Sequence, residues 1–106
     1  EIREQPGNQV TYNTPALTAR ILPSLQAVAG KDKVIETQLI MGAEDFSYYA
    51  KAVPSVFFFV GATAPGTDPL KAPSNHSPLF KLDESALDLG TRAMLQVALD
   101  YLGGAR

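Results

Sequence analysis

The sequence predicts an α/β fold, in which flanking helices cover a largely parallel sheet. Helical and β-branched segments alternate along its 106 residues, an arrangement typical of strands joined by crossover helices. The run SVFFFVG, residues 55–61, is apolar on both of its alternating faces, as a central strand covered on both sides would be. The predicted order is therefore α-β-α-β-α, preceded by a short strand at 9–12.

The first helix is expected over residues 14–29. Asn13 or Thr14 can cap its start, because their side chains accept hydrogen bonds from first-turn amides. Pro15 suits the first turn, where proline presets the helical φ and loses no hydrogen bond.

Two further residues bear on how this helix continues and ends. Pro23 removes one backbone hydrogen bond, which predicts a kink or an early break near it, and Gly30 predicts the stop. The β-branched and partly alternating stretch KVIETQLIM then predicts a strand from about 33 to 40.

The stretch GAEDFSYYAKAV predicts a second helix. Glu44 and Asp45 stand where negative charge meets the free N–H groups of a helix start, and Pro54 ends the helix. Its apolar face is formed by Phe46, Tyr49, Ala50 and Val53.

Residues 62–80 have no periodicity and predict a long irregular loop, which contains His76, the only histidine of the chain. Loops of this length in small domains usually serve a function. Asp83 can cap a last helix, which Gly103 and Gly104 end. Its apolar face consists of Ala86, Gly90, Ala93, Val97 and Tyr101 along one edge, with Leu87, Met94, Ala98 and Leu102 beside them.

Composition excludes several classes of protein. The net charge is -2 and the basic residues are scattered, which argues against a nucleic-acid partner. The longest apolar run is about half of what a membrane-spanning helix needs, so no membrane partner is expected. Without cysteine there is neither a disulfide framework nor a thiolate metal site, which fits a cytoplasmic protein. The polar start at Glu1 is interpreted as a piece of something longer.

His76 leaves several readings open on pattern alone. It can be a surface or structural residue, and Glu44 and Asp45 can be plain helix-start charges. A Ser-His-Asp hydrolase lacks its G-x-S-x-G turn. A self-contained zinc site lacks ligands, because catalytic zinc takes about three protein side chains. The N–H groups around Gly42, Ala43 and Glu44 would suit a carboxylate or a developing oxyanion.

Two ordered motifs carry a family resemblance. MGAEDFSYYAKAVPSVFFFVG and NHSPLFKLDESALDLGTRAM resemble the C-terminal part of the metal-dependent amidohydrolases that include hippurate hydrolase, N-acyl-amino-acid amidohydrolases and indole-acetyl-amino-acid hydrolases, relatives of zinc carboxypeptidases. VTYNTPALTARILPSLQAVAG is similar to the stretch by which that chain leaves its lid domain. The resemblance covers about residues 9–102. It implies part of a three-layer α/β/α catalytic domain over 13–106, with residues 1–12 ending an inserted lid or linker.

The resemblance also implies roles for individual residues. His76 matches the last metal-binding histidine of a two-metal centre that would hold zinc, manganese or cobalt. Glu44 and Asp45 match a Glu-Asp-Phe motif beside the active site. That loop would shape the pocket and bind substrate through backbone N–H groups, those of Gly42, Ala43 and Glu44. Asp83 and Glu84 match the start of the final helix. The other metal ligands and the catalytic glutamate of the family lie upstream, so no catalytic residue is expected in this chain and the metal would not be retained.

The implied function is amide hydrolysis of small N-acyl amino acids by a metal-activated water, in a longer parent protein that dimerises through its lid domain. The chain alone is expected to be inactive. The alternative is a non-catalytic α/β folding or interaction module.

Overall fold

A computed structural model of the chain describes residues 7–104. It contains three α-helices, α1 (Pro15–Ala29), α2 (Phe46–Ala52) and α3 (Ser85–Leu102), with one 3-10 turn, Lys31–Lys33, directly after α1. The helices α1 and α3 pack against each other. The remaining described residues form turns and irregular segments, and the long segment between Ala62 and Phe80 is irregular as predicted.

The predicted parallel α/β sheet is wrong. No strand occurs within residues 7–104. The predicted strands at 9–12, 33–40 and 55–61 do not form, and the described residues therefore show no three-layer α/β/α arrangement. Alternating and β-branched residues favour an extended conformation, but a sheet also needs a second backbone aligned for repeated hydrogen bonds. The apolar run 55–61 is instead accounted for by side-chain packing against the helices.

Helix α1 begins and ends as the sequence predicts. Pro15 is its first residue, and Gly30 ends it with a φ of 92°, a value that favours glycine. The predicted early break is wrong, because the helix continues through Pro23. Thr14 stands at the cap position, but its hydroxyl does not cap the helix and accepts instead from the N–H of Ser55 at 3.1 Å.

Acidic side chains bind amides at the starts of the other two helices. Glu44 Oε1 accepts from the Phe46 N–H at 3.0 Å at the start of α2, and Asp83 Oδ1 accepts from the Ser85 N–H at 3.0 Å at the start of α3. Both bonds satisfy donors that a helix start leaves unpaired. Glu44 and Asp83 thus bind amides near the helix starts, as the sequence predicts, but Glu84 and not Asp83 occupies the cap position of α3.

Small residues on α3 form the contact surface of that helix. Ala86 and Ala93 are buried, together with Ile21 on α1. A Cβ placed on Gly90 would lie 3.7 Å from Cγ2 of Val60, so α3 lies directly against the 55–61 segment. The close approach follows from the short side chains along this edge of α3.

Many large apolar side chains are exposed. Leu39 and Met41 are 98% and 101% exposed, and Leu102 on α3 is 83% exposed. These side chains leave apolar surface in contact with solvent around residues 39–41 and at the end of α3. Among residues 7–104, no helix combines the length and the apolar character that crossing a membrane requires.

Candidate functional site

The loop that precedes α2 presents the residues predicted to bind substrate. Gly42, Ala43, Glu44 and Asp45 are all exposed. Within residues 7–104, the N–H groups of Gly42, Ala43 and Glu44 form no hydrogen bond, whereas the Glu44 carboxylate accepts from the Phe46 amide. The backbone donors of this loop are thus unpaired within residues 7–104, and the Glu44 side chain binds an amide at the helix start.

Segment 8–14 forms hydrogen bonds with residues on both sides of α2, at Asp45 before it and at 55–57 after it. Asn8 Nδ2 donates to Asp45 Oδ1 at 3.1 Å. Asn13 binds the backbone of Phe57 twice: its Oδ1 accepts from the Phe57 N–H at 2.7 Å and its Nδ2 donates to the Phe57 carbonyl at 2.9 Å. The Thr14 N–H donates to the Ser55 carbonyl at 2.8 Å.

Sequence reasoning missed Asn8 and assigned Asn13 only to capping α1. Each side chain reaches across more than 35 positions, 37 for Asn8 and 44 for Asn13, and no local pattern announces such a partner. The one available signal was that asparagine can bond a backbone N–H and carbonyl at the same time, since its amide carries both a donor and an acceptor.

An aromatic cluster connects α2 to the 55–61 segment. The ring of Phe46 lies 5.3 Å from that of Phe57, and Phe57 meets Phe59 edge to face at 5.2 Å. Tyr49 lies 6.1 Å from Phe46. These separations are those of interacting aromatic pairs, so the position of Phe57 is coupled to the first turn of α2.

His76 lies exposed in a turn of the long loop. The Ser77 N–H donates to the Ser74 carbonyl at 2.9 Å and fixes this turn. Among residues 7–104, no group of three or more His, Cys, Asp or Glu side chains stands close enough to hold a metal ion, and no hydrogen bond there joins His76 to the 42–45 loop. The described residues therefore do not fit a metal centre by themselves, because such a site needs several ligands.

A shallow groove lies elsewhere, between α1 and α3. It contains none of the residues that the sequence singles out for chemistry. Its lining consists of Ala27, Val28, Arg92, Leu95, Gln96 and Leu99.

Comparison with known proteins defines the class of this chain. Residues 1–100 match the model of peptidase family M20/M25/M40, and the chain belongs to that family. The resemblance read from the two motifs is thereby confirmed.

Three curated relatives share 32% to 34% sequence identity with the chain. The chain is 34% identical over 99 residues to "IAA-amino acid hydrolase ILR1-like 4" of Arabidopsis thaliana, with 93% of the chain and 22% of that protein covered. It is 33% identical over 101 residues to "Putative amidohydrolase YhaA" of Bacillus subtilis (strain 168), covering 95% of the chain and 25% of that protein. "Thermostable carboxypeptidase 2" of Saccharolobus solfataricus is 32% identical over 92 residues, 87% of the chain and 22% of that protein.

The chain therefore spans between 22% and 25% of the length of these three relatives. No solved structure matches it significantly.

Proposed function

We propose that this chain is the C-terminal part of the catalytic domain of a metal-dependent amidohydrolase, which cleaves the amide bond of N-acyl amino acids of the hippurate type. The family match over residues 1–100 carries the proposal. It is supported by relatives that are named as an IAA-amino acid hydrolase and as a putative amidohydrolase. Residues 13–106 would belong to the catalytic domain and residues 1–12 to the end of a lid domain or a linker.

His76 would supply one ligand of a divalent metal centre, zinc, manganese or cobalt, in the longer protein. Its exposure on a fixed turn leaves the imidazole accessible to such a site. The remaining ligands and the catalytic glutamate would come from residues outside this chain, because the described residues alone do not form a centre. When bound, the metal would supply Lewis-acid chemistry and an activated water.

The loop before α2 would bind the substrate. The N–H groups of Gly42, Ala43 and Glu44 form no hydrogen bond within residues 7–104, and such donors suit the carboxylate of an amino-acid product or substrate. The hydrogen bond from the Phe46 N–H holds the carboxylate of Glu44 itself at the start of α2. Glu44 would thus contribute through its backbone, and its side chain would fix the loop.

The longer protein that carries this chain provides the test. We expect it to hydrolyse N-benzoyl-glycine only with a divalent metal, and we expect His76→Ala to lower kcat/KM by about 100-fold or more, since a lost ligand impairs metal binding. Lys71→Ala is the matched control, because Lys71 is exposed in the same loop and pairs only with Asp68 at 3.6 Å.

Two results would contradict the proposal. An active His76→Ala variant with full metal content would remove the ligand assignment. A protein without activity on any N-acyl amino acid would favour a non-catalytic module instead. Dimerisation of the longer protein through its lid domain is a separate expectation, which sedimentation would measure.

A further inference from the structure

We propose that residues 8–14 act as a positioning strap for the loop that precedes α2, with Asn8 and Asn13 as its two positioning residues. The inference rests on the proposed function, because it assigns to Asn8 and Asn13 the task of holding the substrate-binding loop. Neither residue needs to contact substrate or metal.

The first anchor is the pair formed by Asn8 and Asp45. The Asn8 amide donates to one oxygen of a carboxylate at 3.1 Å, and a charged acceptor makes this bond stronger than one between neutral groups. Asp45 directly precedes Phe46, the first residue of α2. The bond therefore fixes the junction between the loop and the helix.

The second anchor is the pair of hydrogen bonds between the Asn13 side chain and the Phe57 backbone. Its two hydrogen bonds, 2.7 and 2.9 Å long, fix both the position and the orientation of one peptide segment, as a ladder partner would. The Phe57 ring in turn lies 5.3 Å from Phe46. Displacement of Phe57 would therefore be passed on to the first residue of α2.

The two anchors lie in a segment, residues 8–14, that has no regular secondary structure. Through Asn8, this segment binds the start of α2. Through Asn13 and Thr14, it binds the backbone that follows the end of α2. Helix α2 has only 7 residues, too few to be stable by itself. Its placement therefore depends on contacts such as these.

An exchange of donor and acceptor tests the first anchor in the longer protein. Asn8→Asp places a second carboxylate opposite Asp45, and like charges at this distance repel. Asp45→Asn keeps an acceptor for the Asn8 amide. The double variant Asn8→Asp/Asp45→Asn restores a hydrogen bond with its polarity reversed. Gln9→Asp is the matched control, because it adds the same charge one position further along an exposed segment.

Hydrogen exchange at the hydrogen-bonded amides of residues 46–48 is the first measurement. We expect Asn8→Asp to raise the exchange rate by about two- to tenfold, the range that one hydrogen bond contributes, and the double variant to return it to the original value. Gln9→Asp should change it little. For the second anchor, Asn13→Ala should raise exchange at Phe57 and at residues 46–48, whereas Gln9→Ala should not.

Kinetics give the second measurement. Asn8→Asp should raise the KM for N-benzoyl-glycine by about two- to tenfold with kcat little changed, and the double variant should recover the original KM. Equal exchange and KM for Asn8→Asp and Gln9→Asp, or a double variant no better than Asn8→Asp, would overturn the strap. Absence of hydrolysis by the unchanged protein would refute the proposed function instead, while the exchange rates would still decide whether the strap exists.

Discussion

The hydroxyl of Ser24 on α1 donates to Asp100 Oδ2 on α3 at 2.6 Å, the shortest polar link between these two helices. Gln96 donates to the other carboxylate oxygen at 2.9 Å. Hydrogen bonds to the ionised carboxylate, first from Ser24 and then from Gln96, hold the pKa of Asp100 below its ordinary value of 3.8, against a smaller opposing effect of burial. Ser24 itself is buried, so the pair is a defined contact between the helices.

This pair predicts an acid-dependent part of the stability. A carboxyl whose pKa is lower in the folded state than in the unfolded state stabilises the fold above pH 3.8, and that contribution is lost as the pH falls through the folded pKa. We expect Ser24→Ala to lower the melting temperature at pH 7 and to lower it less at pH 3. Ser85→Ala, in the exposed first residue of α3, is the control. An equal decrease at both pH values would contradict the role of the Asp100 charge.

Gly90 predicts opposite effects of a small and a large side chain. A Cβ at this position meets Cγ2 of Val60 at an ordinary contact distance of 3.7 Å, so Gly90→Ala should be accommodated and should stabilise by up to about 1 kcal/mol through helix propensity. Gly90→Leu would force α3 away from the 55–61 segment and should cost about 1–3 kcal/mol. Thermal unfolding measures both, with Ala98→Leu on the exposed part of α3 as the control. A stabilising Gly90→Leu would refute the close packing.

The exposed apolar side chains predict that the 106-residue chain associates when it is alone in solution. Its Cα radius of gyration is 16.2 Å, against about 13 Å for a compact domain of 100 residues, and Leu39 and Met41 are bare. Light scattering should show species larger than a monomer as the concentration rises. Leu39→Gln with Met41→Gln should reduce this association, whereas Glu36→Gln should not. A strict monomer at high concentration would contradict the prediction.

His76 predicts weak metal binding by the chain alone. One imidazole without further ligands gains too little free energy to retain a divalent ion, because the affinity of such sites comes from several ligands acting together. Calorimetric titration of the 106-residue chain with zinc should therefore show no tight binding, and His76→Ala should change the titration little. Stoichiometric tight binding would show that the chain provides a site of its own.

The helices were the most predictable part of the fold because their signals are local. Pro15 and Gly30 mark the ends of α1 by their backbone preferences, and the carboxylates of Glu44 and Asp83 lie within two residues of the amides they bond. The small-residue edge of α3 was likewise evident, since Ala86 and Ala93 recur on one face. Pro23 did not end the helix, because one missing hydrogen bond inside a helix of 15 residues was not enough to break it.

The sheet was not predictable from the apolar run at 55–61. Its composition indicates burial, but the same residues can pack on helices or pair with strands, and only the surroundings decide between them. In the structure Val60 meets Gly90 and Phe57 meets Phe46. These partners lie far away in sequence, and no local rule connects them.

The sequence by itself determined the family, through two motifs in a fixed order, and the ends of the helices, through the backbone preferences of single residues. Only the tertiary structure decided that Asn8 and Asn13 hold the region around α2. Their hydrogen bonds cross 37 and 44 positions, and the chain must be folded before such groups meet. An amide side chain advertises that it can donate and accept, but which backbone or carboxylate it finds depends on the path of the whole chain.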